Sequence, residues 1–160
     1  MLNVNIICVG KLKEKFLSDA VKEYSKRLSA FCKLNITELD ETKLSEKASD
    51  TEIANALKSE SEKILAKTGK DAFVVAMCIE GKMMSSEELS RLFNRVSVEG
   101  KSRIDIIIGS SFGLSDEVKK RADLRLSVSP MTFPHQLFRV MILEQVYRAF
   151  QISTGGKYHK

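Results

Sequence analysis

Two apolar stretches constrain this chain more than anything else in it: Ala72-Phe73-Val74-Val75-Ala76-Met77-Cys78-Ile79 and Ile104-Asp105-Ile106-Ile107-Ile108. A strand with one wet face alternates polar and apolar side chains. A strand buried on both faces reads as a nearly continuous apolar run, the condition of a parallel sheet covered by helices. The other segments agree. Leu2–Val9 reads as a strand ending at Gly10, Leu34–Leu39 alternates as a second strand, and Leu124–Val128 is a short last one. Between them, apolar residues recur at helical spacing. Phe16, Leu17, Ala20, Val21, Tyr24 and Leu28 mark one helix. Ile53, Ala54, Leu57, Ile64 and Leu65 mark a second, which starts at Asp50 and stops before Gly69. Leu89, Leu92, Phe93 and Val96 mark a third, capped by Ser85 or Ser86, with Glu87 and Glu88 in its first turn. Asp40–Ser49 is a polar surface loop, Ser115 caps a short helix from Asp116 to about Lys120, and a terminal helix runs from about Pro134 to Ile152. Strand–helix alternation predicts an α/β protein with a parallel sheet between helices. Its 160 residues predict a single domain over 1–160 that buries roughly two thirds of its unfolded surface.

Composition narrows the class. No run approaches the roughly 18 apolar residues that span a bilayer. The start lacks a charged region and a small-residue cleavage site, so it reads as a strand and not a signal peptide. Cys8, Cys32 and Cys78 have no CxxC spacing; they read as buried thiols of a reducing cytoplasm, with no zinc or other metal site expected. The net charge is +5, and residues 109–160 hold eight Lys and Arg against four Asp and Glu. A basic excess in that third of the chain suits a polyanion such as RNA, or serves solubility alone.

The same third concentrates the rarest side chains. Both prolines, Pro130 and Pro134, and one of the two histidines, His135, fall in Ser127–His135. This stiff, donor-poor loop opens straight into a helix that is apolar on nearly every side. Three strand ends lead into loops shaped by glycine or proline: Met77–Lys82, Ile108–Leu114 and Ser127–Pro134. In open α/β sheets, ligands bind at the carboxyl ends of strands. Converging, the three would form a pocket of backbone amides and carbonyls with Met77, Val128, Met131 and Phe133 as apolar walls. Few fixed positive charges are present, so the lining suits adenine plus a small amino acid better than a phosphate chain. Neither GxGxxG nor GxxxxGK occurs. The plain alternatives are a glycine turn needed for sterics and Met and Phe residues that are simply core. Glu144 and Arg148 are spaced for an ion pair within the helix, His135 for a helix-start cap, and the Lys157-Tyr158-His159-Lys160 tail for fraying or for stacking on a base. The breadth of the terminal helix's apolar surface predicts cover from a second copy of the chain.

At these residues the chain resembles the bacterial large-subunit rRNA pseudouridine N3-methyltransferases of the SPOUT, or α/β-knot, superfamily. The resemblance rests on Gly109, Gly113-Leu114, Glu117-Val118, Arg121-Ala122, Leu126-Ser127, Ser129, Met131–Gln136, Arg139-Val140, Glu144–Phe150 and Tyr158-His159-Lys160. Val9–Lys13 and Tyr24–Leu28 match as well, so it covers the whole chain. It implies a three-layer αβα fold with a deep C-terminal trefoil knot, a homodimer that completes each site, and S-adenosylmethionine held in a bent shape. It places Met77, Gly109, Val128, Ser129, Pro130, Met131, Thr132 and Phe133 at the cofactor. It places His135, Arg139 and His159 in catalysis, and Arg139, Tyr147, Arg148, Tyr158 and His159 at the substrate. The implied reaction is methylation of a pseudouridine N3 in a 23S rRNA hairpin loop, on the assembled ribosome. The rivals are a non-catalytic RNA-binding or assembly factor and a SPOUT enzyme acting on tRNA. One departure stands out: where the family usually has Gly-Gly, this chain has Gly109-Ser110, and a side chain there is expected to narrow the pocket.

Overall fold

The two apolar runs become the centre of a five-stranded, wholly parallel sheet in a computed structural model that describes residues 1–160. In chain order the elements are β1 (Asn3–Val9), α1 (Lys15–Leu28), β2 (Lys33–Leu39), α2 (Asp50–Lys67), β3 (Phe73–Met83), α3 (Ser86–Val98), β4 (Arg103–Ile108), α4 (Asp116–Arg121), β5 (Leu124–Ser127) and α5 (His135–Ser153). The strands lie in the order β2-β1-β4-β3-β5. β4 therefore enters between β1 and β3, and β5 closes the edge beside β3.

The period of two along each strand sorts the core into two clusters. Val4, Ile6, Cys8, Val75, Met77, Ile104, Ile106 and Ile108 face α1, α3 and α5. Ile7, Val9, Val74, Ala76 and Ile107 face Ile64 of α2 and Val118 of α4. Helices thus cover both faces in three layers. Asp105 interrupts the β4 run yet is wholly buried. It accepts from Asn5 Nδ2 at 3.0 Å, the Gly69 amide at 2.7 Å and Arg103 Nε at 2.7 Å, so its lone pairs are satisfied.

Serine caps set the helix starts. Ser49 with Glu52, and Ser85 with Glu88, form reciprocal capping boxes at α2 and α3. α5 has no polar cap; it begins after Pro134, whose ring presets φ for a helix start.

The structure corrects several expectations. Helix α1 starts at Lys15 and turns Phe16 outward. Helix α2 is rotated: Ala54 is exposed, while Ala56, Glu60, Ser61 and Ile64 are buried. β3 runs on to Met83 because it pairs with β5 twice, through Met77 opposite Leu126 and again through Lys82 opposite Leu126. The intervening residues bulge away from the ladder. Gly81 then lies against β5, where a Cβ would come within 2.7 Å of the Leu126 carbonyl carbon. Finally, α5 is mostly covered by its own chain. It packs between α1 and α3, buries Ile142, Leu143, Val146 and Ala149, and sets Tyr147 and Phe150 against Phe31. Of its large apolar side chains, Leu137 remains exposed. No helix is long and apolar enough to cross a membrane.

Candidate functional site

Because β4, β3 and β5 are neighbours and parallel, the loops after β4 and β5 emerge beside the bulge within β3. Between them lies a cavity of about 740 Å³, lined by Met77, Cys78 and Ile79 from β3, the 109–114 turn after β4, residues 126–134 and the start of α5 with His135 and Phe138. Of the eight cofactor positions implied by resemblance, Met77, Gly109, Val128, Ser129, Met131, Thr132 and Phe133 lie on this wall. Pro130 belongs to the same loop without lining it. The cavity is the size of small-molecule sites. Its cation, Lys119, is paired with the Glu80 carboxylate, which leaves little fixed positive charge for a phosphate chain. Apolar walls plus main-chain amides and carbonyls suit a purine with an amino-acid tail, so the residues present fit S-adenosylmethionine.

The loops are rigid for local reasons. The Gly113 amide donates to the Ser110 carbonyl at 2.9 Å and Gly113 takes φ +82°, closing a tight turn. A Cβ on Gly109 would collide with the Gly113 carbonyl and Leu114. Ser129 Oγ accepts from the Met131 amide at 3.0 Å, and Ser127 Oγ donates to the Ser129 carbonyl at 3.1 Å, an ST-turn that stiffens the proline loop. Ser110 itself lines the cavity, and its hydroxyl donates to the buried Glu60 Oε1 at 2.8 Å.

Helix α5 divides its functional candidates into two groups. His135 lies on the cavity wall. Arg139, expected to face a substrate base, is turned inward instead and is 1% exposed. Its Nη1 donates to Glu38 Oε2 at 2.6 Å and its Nη2 to the Gly10 carbonyl at 2.9 Å, while Nε has no partner. Glu38 also accepts the Leu12 amide, and Gln136 Oε1 accepts the Lys13 amide at 2.9 Å. Arg139, Glu38 and Gln136 thereby staple the Gly10–Lys13 loop to the start of α5. The spacing of Arg139 in α5 gave no sign of this, because its partners are over a hundred residues away.

Tyr147, Arg148, Tyr158 and His159 come together too, but not at the cavity. Arg148 pairs with Glu144 at 2.7 Å, Tyr158 donates to Glu144 at 2.9 Å, and the Arg148 guanidinium stacks on the Tyr158 ring. The Arg148 Nη1 donates to His159 Nδ1 at 3.2 Å, so His159 Nε2 carries the hydrogen given to Glu87 at 2.6 Å. The tail is thus folded against α3 and α5 of its own chain. Burial tends to keep the Glu144 carboxyl neutral, but hydrogen bonds from Tyr24, Arg148 and Tyr158 outweigh it and hold the group below the usual carboxylate range. Burial pushes the Cys8 and Cys32 thiols up to about 11.

Residues that the sequence reading did not single out for the site also belong to it. Phe112 and Phe138 add aromatic wall, Cys78 sits beside Met77, and Glu60 supports the 109–114 turn from behind.

An open parallel sheet with a cavity over adjacent strand ends defines a small-molecule-binding α/β protein. The sequence settles which kind: residues 2–159 match the family model described as Predicted SPOUT methyltransferase. The chain is 56% identical over 159 residues to the Ribosomal RNA large subunit methyltransferase H of Clostridium acetobutylicum, covering 99% of this chain and all of that one. With the protein of the same name from Clostridium novyi the identity is 52% over the same extent. A probable methylase family protein from Haemophilus influenzae Rd KW20 superposes with a TM-score of 0.53 over 98% of this chain and 70% of that one. At 15% identity that likeness concerns fold alone. The chain belongs to the SPOUT methyltransferase family, and its activity is methyl transfer.

Proposed function

We propose that this protein methylates N3 of a pseudouridine in a hairpin loop of 23S rRNA, using S-adenosylmethionine, on the assembled ribosome. The observation that carries the reading is full-length identity above 50% to relatives named as large-subunit rRNA methyltransferases. The cavity at the three strand ends supports it independently.

S-adenosylmethionine, when bound, supplies an activated methyl group. The chain's own residues align and protect. Backbone amides and carbonyls of 109–113 and 128–132 hold the polar edges, while Met77, Val128 and Phe133 exclude water from the apolar parts. Deprotonation of a uracil imide leaves charge on its flanking carbonyl oxygens, so a proton acceptor and a donor for that charge are both required. His135 on the cavity wall is the acceptor within one chain. Arg139 contributes by fixing the loop that carries Gly10, against which His135 packs.

Tyr147, Arg148, Tyr158 and His159 cannot serve the cavity of their own chain. We assign them to the cavity of a second copy in a homodimer. Exposed Met131 and Phe133 at the cavity and exposed Leu137 on α5 support that assembly. Membership of the SPOUT family supports a C-terminal segment threaded into a trefoil knot. The basic excess of residues 109–160 supports phosphate contacts.

Transfer of labelled methyl groups from S-adenosylmethionine tests the assignment. Large ribosomal subunits are expected to accept label and tRNA is not. Label on tRNA alone establishes the tRNA reading, and label on neither overturns both substrate assignments.

A further inference from the structure

Helix α2 lies on the face of the sheet opposite α5 and contributes nothing to the cavity wall. Yet its buried stripe contains a carboxyl and a hydroxyl at adjacent positions, Glu60 and Ser61, which are 2% and 1% exposed. A buried acid is costly unless its lone pairs are used. Glu60 has no cationic partner. Its Oε1 accepts from Ser110 Oγ at 2.8 Å and its Oε2 from the Thr42 amide at 3.3 Å. Ser61 Oγ accepts from Ser115 Oγ at 2.9 Å. Ser115 in turn caps α4 by accepting the Val118 amide. The two ends of the 110–115 segment are therefore fastened to two consecutive residues of one helix. The residues between those ends, Ser111, Phe112 and Gly113, line the cavity.

We propose that Glu60, acting through Ser110, is a positioning residue for the cofactor: it fixes the 109–114 turn from outside so that its main-chain groups are preorganised toward the methyl donor. This rests on the cavity being the cofactor site. A turn held at one point by Gly113 and at the other by a buried carboxyl does not have to be ordered when the ligand arrives, and preorganisation of that kind strengthens binding. It also gives Ser110 a purpose: here a side chain occupies a turn position at which a glycine would leave the carboxyl without its donor. The adjacent Thr42 link ties the same carboxyl to the loop after β2.

The test uses the full chain and S-adenosylmethionine itself. Wild type, S110A, E60A and the double variant S110A/E60A are titrated by calorimetry at a temperature well below each melting midpoint, and KM and kcat are measured with the RNA substrate saturating. Only the part of this bond's worth that differs between free and bound protein reaches affinity, so S110A is expected to bind severalfold more weakly, about tenfold at most. KM for the cofactor rises by the same factor and kcat at saturation stays within about twofold. The double variant is expected to bind no more weakly than E60A, because both changes break the same link. A lowered melting midpoint with unchanged cofactor affinity in S110A overturns the proposal and leaves the cofactor site intact, as do losses that simply add. Should E60A fail to fold, S110A alone decides. Wild type that binds no S-adenosylmethionine overturns the cofactor reading, and this inference with it.

Discussion

Arg139 shows how a residue's place in a helix conceals its job. Its guanidinium is the largest fully buried side-chain group of the chain, and it joins β1 and β2 to the start of α5. Truncation leaves the Gly10 carbonyl without its donor, whereas Glu38, whose side chain is 38% exposed, can be rehydrated. R139A is therefore expected to lower unfolding free energy by about 1–3 kcal/mol in urea titration. Full stability with lost turnover would instead make it a substrate contact. Gly81 is a second residue with no freedom: any Cβ meets the β5 backbone. G81A is expected to destabilise more than any surface change, read as a fall in melting midpoint, and to weaken cofactor binding because the bulge borders the cavity. The cysteines give a chemical check. Thiols held near 11 contain almost no thiolate at neutral pH. Native protein treated with iodoacetamide should spare Cys8 and Cys32, and denatured protein should label all three cysteines. Half-buried Cys78 is the site of any native labelling, and S-adenosylmethionine should slow it.

At the level of elements, the continuous runs of β3 and β4, the alternation of β2 and the serine caps of α3 and α4 were all legible in the sequence, because local patterning dictates them; the Ser49 cap of α2 was not read. What failed to show depended on distant partners. The spacing of Ile53, Ala56, Leu57, Glu60, Ser61 and Ile64 is helical, but Glu60 and Ser61 look wet until Ser110 and Ser115 are known to meet them. The β3 bulge is invisible because residues 78–81 carry no signal of a second pairing with β5. The tail looked free to fray because Glu87 and Glu144, which hold it, lie on α3 and α5. That tail carries a pH prediction. Glu144 has a carboxyl held below its usual value in the folded state. Such a group stabilises the fold above its unfolded pKa, and the contribution disappears as pH falls through the folded one. The packing of Tyr158 against α5 is thus expected to persist at pH 6 and loosen below about pH 4. Amide exchange of residues 155–160 follows it. E144Q should already show fast exchange at pH 6; slow exchange there would mean that Glu144 does not hold the tail.

On the scale of the molecule, sheet order and helix placement serve one outcome: three loops meet at a single edge, with α2 bracing them behind and α5 closing them in front. The sequence pointed to that edge through its glycines and prolines. It could not show that Tyr147, Arg148, Tyr158 and His159 gather elsewhere, since their separation from the cavity depends on where α5 lies. The homodimer proposed above would resolve the separation. Sedimentation at micromolar concentration is expected to give about 36 kDa, twice the 18.0 kDa of one chain, and L137E should shift it toward the monomer. The central claim is that the bulge within β3 and the turns after β4 and β5 hold the methyl donor. Hydrogen–deuterium exchange with and without S-adenosylmethionine tests it most directly. Slower exchange confined to residues 77–80, 109–114 and 127–135 is the predicted result; no change there, or protection only on the α2 and α4 face, would contradict it.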